Sequence, residues 1–398
     1  MKTTGLVPHR FLLACIFVCG LGAVVDPGLQ AQTFSVIHSF TGGNDGGVPE
    51  NGFVANGKVF FGTASTGGSA GYGVVFKINA SGAETVLHSF SGGADGANPE
   101  GQLIRSKGGV LYGTTTAGGA SGAGTVFAIT GKTETVLYSF ASGRDGATPV
   151  AGLVEDANGN LYGTTSKGGA NGNGTVFELI APKASGGAWA ETVLYTFGKG
   201  TDGATPIGGL NFDKAGNLYG TTSAGGAYGY GTVFQLVAEN SWAENILHNF
   251  QNADDGAVPY AGLISDKSGN FYGAATEGGS NGGGTVYELT PSNGTWNFKV
   301  LYSVPGWGIS GTFRNVVLDS SGNLYASTHC DGAHNAGTVY ELSPSGESWD
   351  YTLLYTFTGE SDGLFSVSDL VLNEDKLYGT TLYGGADGNG VIYEITLN

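Results

Sequence analysis

The chain has 398 residues, 33 acidic against 16 basic for a formal net charge of −17, and charged residues make up only 12% of it. Nucleic-acid binding needs clustered Lys and Arg to displace counterions, and a polybasic membrane patch needs the same residues, so this sparse acidic surface argues against both. At this length a core buries ~75% of the surface that the unfolded chain exposes, enough for stability by burial alone.

The first segment reads as a targeting signal. Lys2, His9 and Arg10 precede an apolar run over residues 11–25, then a turn at Asp26-Pro27-Gly28 and a small residue, Ala31, before Gln32. That order predicts a cleaved signal peptide over residues 1–31. The run is short of the ~20 apolar residues of a membrane helix. Cys15 lies before most of the apolar run rather than after it, which disfavours a lipid anchor there. With Cys15 and Cys19 in the leader, Cys330 alone remains and no intramolecular disulfide is expected. The protein is expected to be secreted or periplasmic, without a membrane span.

From Gln32 onward a unit of ~50 residues recurs, the period of one propeller blade. Its L-Y-G-T-T element returns around Phe61, Tyr112, Tyr162, Tyr219, Tyr272, Tyr325 and Tyr378. In the clearest copy an inner strand A (residues 151–155) turns through Asp156-Ala-Asn-Gly-Asn160 into strand B (161–165). A Gly-rich loop leads to strand C (174–179), and an outer strand D occupies residues 135–140 of the preceding unit. β-Branched and aromatic residues alternating between Gly, Asn and Asp turns favour strands over helices. The expected fold is all-β: a seven-bladed propeller of four-stranded antiparallel blades over residues 32–398.

The chain opens on a D-type strand (35–40) and ends on a C-type strand (391–395). This offset predicts that the N-terminal strand completes the last blade, hiding two edges that would otherwise template aggregation. Loop lengths separate two faces. The B-to-C loop has eight residues in all seven repeats, while the C-to-D connections vary most. The regular face, carrying the B-to-C and D-to-A loops, is therefore the candidate functional face.

Repeated polar residues there admit two readings. Asp45, Asp95, Asp145, Asp202, Asp255 and Asp362 in Asp-Gly pairs could hold calcium through carboxylates and carbonyls. Turn chemistry explains them more simply, with Asp capping its own turn and Gly supplying positive φ. His38, His88 and His248 alternate with Tyr138, Tyr195, Tyr302 and Tyr355 at one repeat position, so they read as packing rings with a polar tip. Trp189, Trp242, Trp296 and Trp349 stand where strand D begins and are expected to cover blade edges. No Gly-rich loop is followed by a G-K-S/T arrangement or a helix, which argues against phosphate binding.

The motif L-Y-G-T-T-x-x-G-G-A-x-G-x-G-T-V-F, preceded by D-G-A-x-P-x-x-G-L, resembles the Gloeobacter/Verrucomicrobia tandem repeat of exported bacterial proteins over nearly the whole chain after residue 31. The resemblance implies export and, in many members, a C-terminal anchor, which the ending Thr396-Leu397-Asn398 does not display. It implies no catalysis and no ligand.

Two departures from symmetry are candidate sites. The sixth repeat loses its Asp-Gly pair, gains Trp307 and Arg314, and replaces its Gly-Gly loop with His329, Cys330, Asp331, Gly332, Ala333 and His334. Of these, His329, Cys330, Asp331 and His334 are donor types for a transition metal, zinc or copper. Where the inner strands begin, Glu50, Glu100, Tyr260, Arg314 and Asp369 are expected around the channel mouth, with Tyr228, Tyr230 and Tyr383 on the surrounding loops. Rings that stack on sugars beside polar groups that orient hydroxyls suit carbohydrate. The expected function is thus a monomeric binding module for a glycan or a cell-surface partner, acting without a cofactor unless calcium or a transition metal is bound. A structural scaffold, and an enzyme of lyase or lactonase type at the channel mouth, stand as alternatives.

Overall fold

The computed structural model describes residues 32–184, 186–198, 200–306, 311–312 and 314–397. The strands form seven four-stranded antiparallel sheets, each running A-B-C-D from the inside outward. The third blade is representative: Val154–Glu155, Leu161–Thr165, Thr175–Ile180 and Ala190–Thr196. A single 3-10 turn, Ala238–Asn240, is the helical element among the described residues.

The ring closes as the phase of the repeats predicts. Thr33–Ser39 pairs antiparallel with Val391–Thr396, in a sheet that continues through Lys376–Thr380 to Val371–Asn373. The two ends of the chain thus complete one blade: Val391–Thr396 is paired on both sides, and Thr33–Ser39 takes the outermost position that strand D holds in the other blades.

Each blade is held to the next by apolar side chains between successive sheets. Tyr162, Val176 and Phe197 of the third blade pack against Leu210, Leu218 and Phe234 of the fourth, and within the third blade Phe177 of strand C lies under Gly163 of strand B, where an added Cβ would come within 2.7 Å of the phenyl ring. The tryptophans at the start of strand D reach across to strand B of the preceding blade: Trp189 meets Tyr112 edge-on, and Trp296 meets Tyr219. They cover blade seams, as the sequence suggests.

A second seam contact involves the outer strands. The aligned rings His38, His88, Tyr138 and Tyr195 face Glu84, Glu134, Glu191 and Glu244 of the next blade. At the other three seams the partner is aromatic: Phe298 stacks on His248 at 3.7 Å, Tyr351 on Tyr302 at 5.0 Å and Phe34 on Tyr355 at 3.8 Å. Each of the four glutamates has one buried carboxyl oxygen with no hydrogen-bond partner among the described residues. Burial, followed by an Asp of the preceding unit for Glu84, Glu134 and Glu191, raises these carboxyls to about 7; for Glu244, burial and Asp202 act against a hydrogen bond from Tyr195.

Candidate functional site

The regular face is built from two interlocked loops per blade. The Asp of each Asp-Gly pair accepts hydrogen bonds from its own turn: Asp95 from the Ser91 N–H at 2.8 Å, Asp145 from the Ala141 N–H at 2.7 Å, Asp362 from the Thr358 N–H at 2.8 Å. The ring at the alternating His/Tyr position contributes its polar tip to the same carboxylate, with Tyr138 Oη donating at 3.1 Å and His88 Nε2 lying at 3.2 Å from its Asp. These carboxylates thus cap turns. Short bridges then tie the D-to-A loop to the B-to-C loop, as at Ala147 and Lys167. The facing glycines make this close approach: a Cβ on Gly168, whose φ is +73°, would lie 2.7 Å from the Gly146 backbone.

On this rigid frame, the inner strands converge around the ring axis. Their alternation places residues in successive layers facing the channel. The outer layer carries Glu50, Glu100, Val150, Ile207, Tyr260 and Val367. Glu50 accepts from Ser65 Oγ at 2.9 Å and Glu100 from Thr116 Oγ1 at 3.1 Å. Burial and the neighbouring Glu50 push the Glu100 carboxyl well above the usual carboxylate range, against the pull of Thr116, Arg314 and Lys167. Burial and Glu277 likewise raise the Tyr260 hydroxyl, opposed by Arg314. Arg314 is fixed by donating from Nε to the Val367 carbonyl at 2.9 Å.

The next layer is lopsided. Gln102, Asn315 and Asp369 project from blades two, six and seven, while blades one, three, four and five present Gly52, Gly152, Gly209 and Gly262 at the aligned position. A cavity of about 240 Å³ results, lined by residues of all seven blades, among them Asn51, Tyr260, Arg314 and Asp369. Asp369 is buried; its Oδ1 accepts the Asn315 N–H at 2.7 Å, and burial raises its carboxyl against Arg314 and that bond.

Glu50, Glu100, Tyr260, Arg314 and Asp369 are therefore neighbours at one end of the channel. Tyr228 and Tyr230 stand on the fourth blade's loop, 56% and 39% exposed. Tyr383 is partly buried, its hydroxyl raised by burial and by Glu50, which ties it to the same mouth. Trp307 lies outside the described residues.

Of the sixth-blade donors, His329 and Cys330 touch, while Asp331 turns to a seam and His334 is exposed. The His329 ring lies against Phe365, and its Nδ1 is 2.7 Å from Cys330 Sγ. Asp331 accepts from Thr328 Oγ1 and acts electrostatically on Tyr302, Tyr340 and Tyr351, in the seam whose Asp-Gly carboxylate is missing. His334 is exposed. Among the described residues no group of three or more His, Cys, Asp or Glu is arranged to hold a metal ion.

Sequence reasoning named the mouth residues but missed two features. The seam glutamates share one aligned position with Phe34, Phe298 and Tyr351, a mixture of acids and rings that marks a special contact. The inner-strand glycines that line the cavity share their position with Gly52, which does not, so the letters alone carry no signal of it.

The sequence matches the family described as Gloeobacter/Verrucomicrobia repeat over residues 18–234 and again over 211–398. No curated protein matches the chain. Among solved structures, a protein from Bacteroides fragilis described as a candidate 6-phosphogluconolactonase superimposes with a TM-score of 0.51 at 20% identity, covering 81% of this chain and 86% of its own. An ulvan lyase of polysaccharide lyase family PL25 gives a TM-score of 0.55 at 10% identity, covering 92% and 96%. The extracellular domain of a one-component system from Bacteroides thetaiotaomicron gives 0.56 at 10% identity, over 91% of this chain and 40% of that one. At these identities the likeness is one of fold.

Proposed function

The chain belongs to the Gloeobacter/Verrucomicrobia repeat family, and on that premise we propose that it is an exported propeller that binds glycan at the channel mouth of its regular face. The observation that carries this reading is the asymmetric mouth itself. Tyr260, Arg314 and Asp369 line one cavity and Glu100 and Glu50 stand at its mouth near Arg314, where a symmetric repeat would place like residues. Carboxyl, guanidinium and phenol groups in a half-buried cleft can orient hydroxyls while rings stack on sugar faces. The exposed Tyr228 and Tyr230 extend the surface over which a longer chain would lie. Among the described residues no helix is long and apolar enough to cross a membrane.

A glycan array probed with the protein spanning residues 32–398 tests the proposal. Binding to a defined set of glycans, lost on Tyr260→Ala, is the expected result; absence of binding to every glycan would favour a scaffold. A second reading, catalysis at the same mouth, draws on Glu100. A carboxyl raised to about 8 beside a second carboxyl, Glu50, is the pairing that acid–base chemistry draws on. Release of unsaturated or hydrolysed products from a bound glycan would turn the binding module into an enzyme.

A further inference from the structure

The cavity beneath the mouth has a chemistry of its own. Asn51 is 3% exposed, lines the cavity, and leaves its Nδ2 without a hydrogen-bond partner among the described residues. Asn315 lines it too, and its Oδ1 is equally unpaired. A buried polar atom without a partner is costly, so a donor and an acceptor left unpaired on two residues of one cavity wall point to polar groups that arrive from outside. Gly152, Gly209 and Gly262 also line the cavity; a Cβ would strike the neighbouring backbone at Gly152 and Gly262 but meets nothing at Gly209.

Size and charge narrow the ligand. About 240 Å³ is less than the ~300–1,000 Å³ of pockets for drug-sized ligands, so one sugar ring fits better than an oligosaccharide. Asp369 stands in the cavity and Glu50 and Glu100 at its mouth, while Arg314 is engaged by the Val367 carbonyl and faces Asp369. A ligand carboxylate or sulfate would meet three carboxyl groups against one guanidinium, Arg314, which already faces Asp369. Hydroxyls, by contrast, can both donate to Asp369 and Asn315 Oδ1 and accept from Asn51 Nδ2.

We propose that this cavity receives a single uncharged sugar unit, inserted along the ring axis with its hydroxyls on Asn51, Asn315 and Asp369 and one face toward Gly209. The inference rests on the glycan reading above and deepens it. The unit is either the end of a glycan chain or a free monosaccharide.

Gly209 gives the test. A Cβ added there meets no atom within 4 Å, so larger side chains grow into the cavity rather than into the protein. Calorimetric titration would use glucose, galactose, mannose, xylose and rhamnose, the uronic acids of the first three, and oligosaccharides ending in whichever neutral sugar binds. At least one neutral sugar should bind, its uronic acid at least tenfold more weakly. Gly209→Ala should weaken binding modestly and Gly209→Leu at least tenfold, with melting unchanged or raised. Asn51→Leu should also lose tenfold without loss of stability, since Asn51 Nδ2 serves no protein partner. An oligosaccharide that binds more tightly than its terminal sugar identifies a chain end as the ligand, and equal affinity identifies the free sugar. Three results would overturn the proposal: no neutral sugar binds, the uronic acid binds as well as its parent, or a folded Gly209→Leu protein binds like the wild type. In the last case, retained glycan-array binding would leave the mouth reading standing and refute the cavity alone.

Discussion

Replacing Glu84, Glu134, Glu191 and Glu244 together by Gln should flatten the dependence of stability on pH. In the folded ring these carboxyls stand at about 7, against an ordinary 4.5, because burial penalises the charged form. A carboxyl raised on folding favours the folded state while protonated. That contribution is complete below the unfolded value and is lost as pH rises through the folded value, so the wild type should be most stable near pH 5 and weaken toward pH 8. A shift from 4.5 to about 7 would cost about 3 kcal/mol per fully ionised group. The side chains are only half-buried and solvent screens them, which reduces the figure to about 1 kcal/mol each. Four such groups imply about 4 kcal/mol, or roughly 4–8 °C in a domain of this size. Scanning fluorimetry from pH 5 to 8 at low salt measures it. The Gln variant should melt above the wild type at pH 8 and near it at pH 5. A wild type that melts equally at both ends, or a Gln variant with the same slope, would refute the assignment.

Glu191→Phe should stabilise the protein at pH 8 by about 1 kcal/mol, because Phe can stack on Tyr138 as Phe34 does on Tyr355, and a higher melting temperature would show it. Deleting residues 33–41 removes the strand that pairs with Val391–Thr396, together with the buried Phe40; size-exclusion chromatography with light scattering should show aggregation, and a monomer with unchanged melting would contradict the closure. EDTA should leave melting unchanged and added calcium should not raise it, since the Asp-Gly carboxylates already accept hydrogen bonds from their own turns. A calcium site filled at a hundred times its Kd would add about 2.7 kcal/mol and be visible in the same assay.

The blades were legible because a period, a strand alternation and a set of turns agree in every copy. Closure was legible from phase alone, since a leading D strand and a trailing C strand have one economical solution. The mouth residues followed from the same register: once strand A is located, Tyr260 and Asp369 must gather near the axis, with Glu50 and Glu100 beside each other. The cavity was not legible for a physical reason. The chain has 74 glycines, nearly all of them readable as turn formers, and nothing in the letters distinguishes Gly209, which leaves space, from Gly163, which is crowded by Phe177. The seam acids were hidden because their partners lie one repeat away, on an outer strand that the inner-strand reading does not reach. The sixth blade shows the converse difficulty. His329, Cys330, Asp331 and His334 are adjacent in sequence, but a loop on a propeller face turns successive side chains toward different neighbours, and Asp331 is drawn into a seam that lacks its usual carboxylate.

Two kinds of asymmetry therefore coexist in the ring, and packing separates them. At the seams, acid and ring are alternative solutions to one structural demand: each faces the same aligned His or Tyr, and exchanging one for the other should move stability and leave binding alone. In the channel, Gly209 has no such excuse. Its Cβ position is open and its φ lies outside the left-handed region, so neither sterics nor backbone strain demands glycine there. A larger side chain would bury apolar surface and stabilise the fold. An empty position that the fold does not require, in the same cavity as Asn51 and Asn315, whose buried polar atoms the fold does not satisfy, is best explained by a ligand that needs both. The argument turns on the contrast between the two substitutions. If Glu191→Phe shifts melting without touching sugar affinity, and Gly209→Leu abolishes affinity without lowering melting, the channel asymmetry serves recognition; if both act only on stability, it is drift.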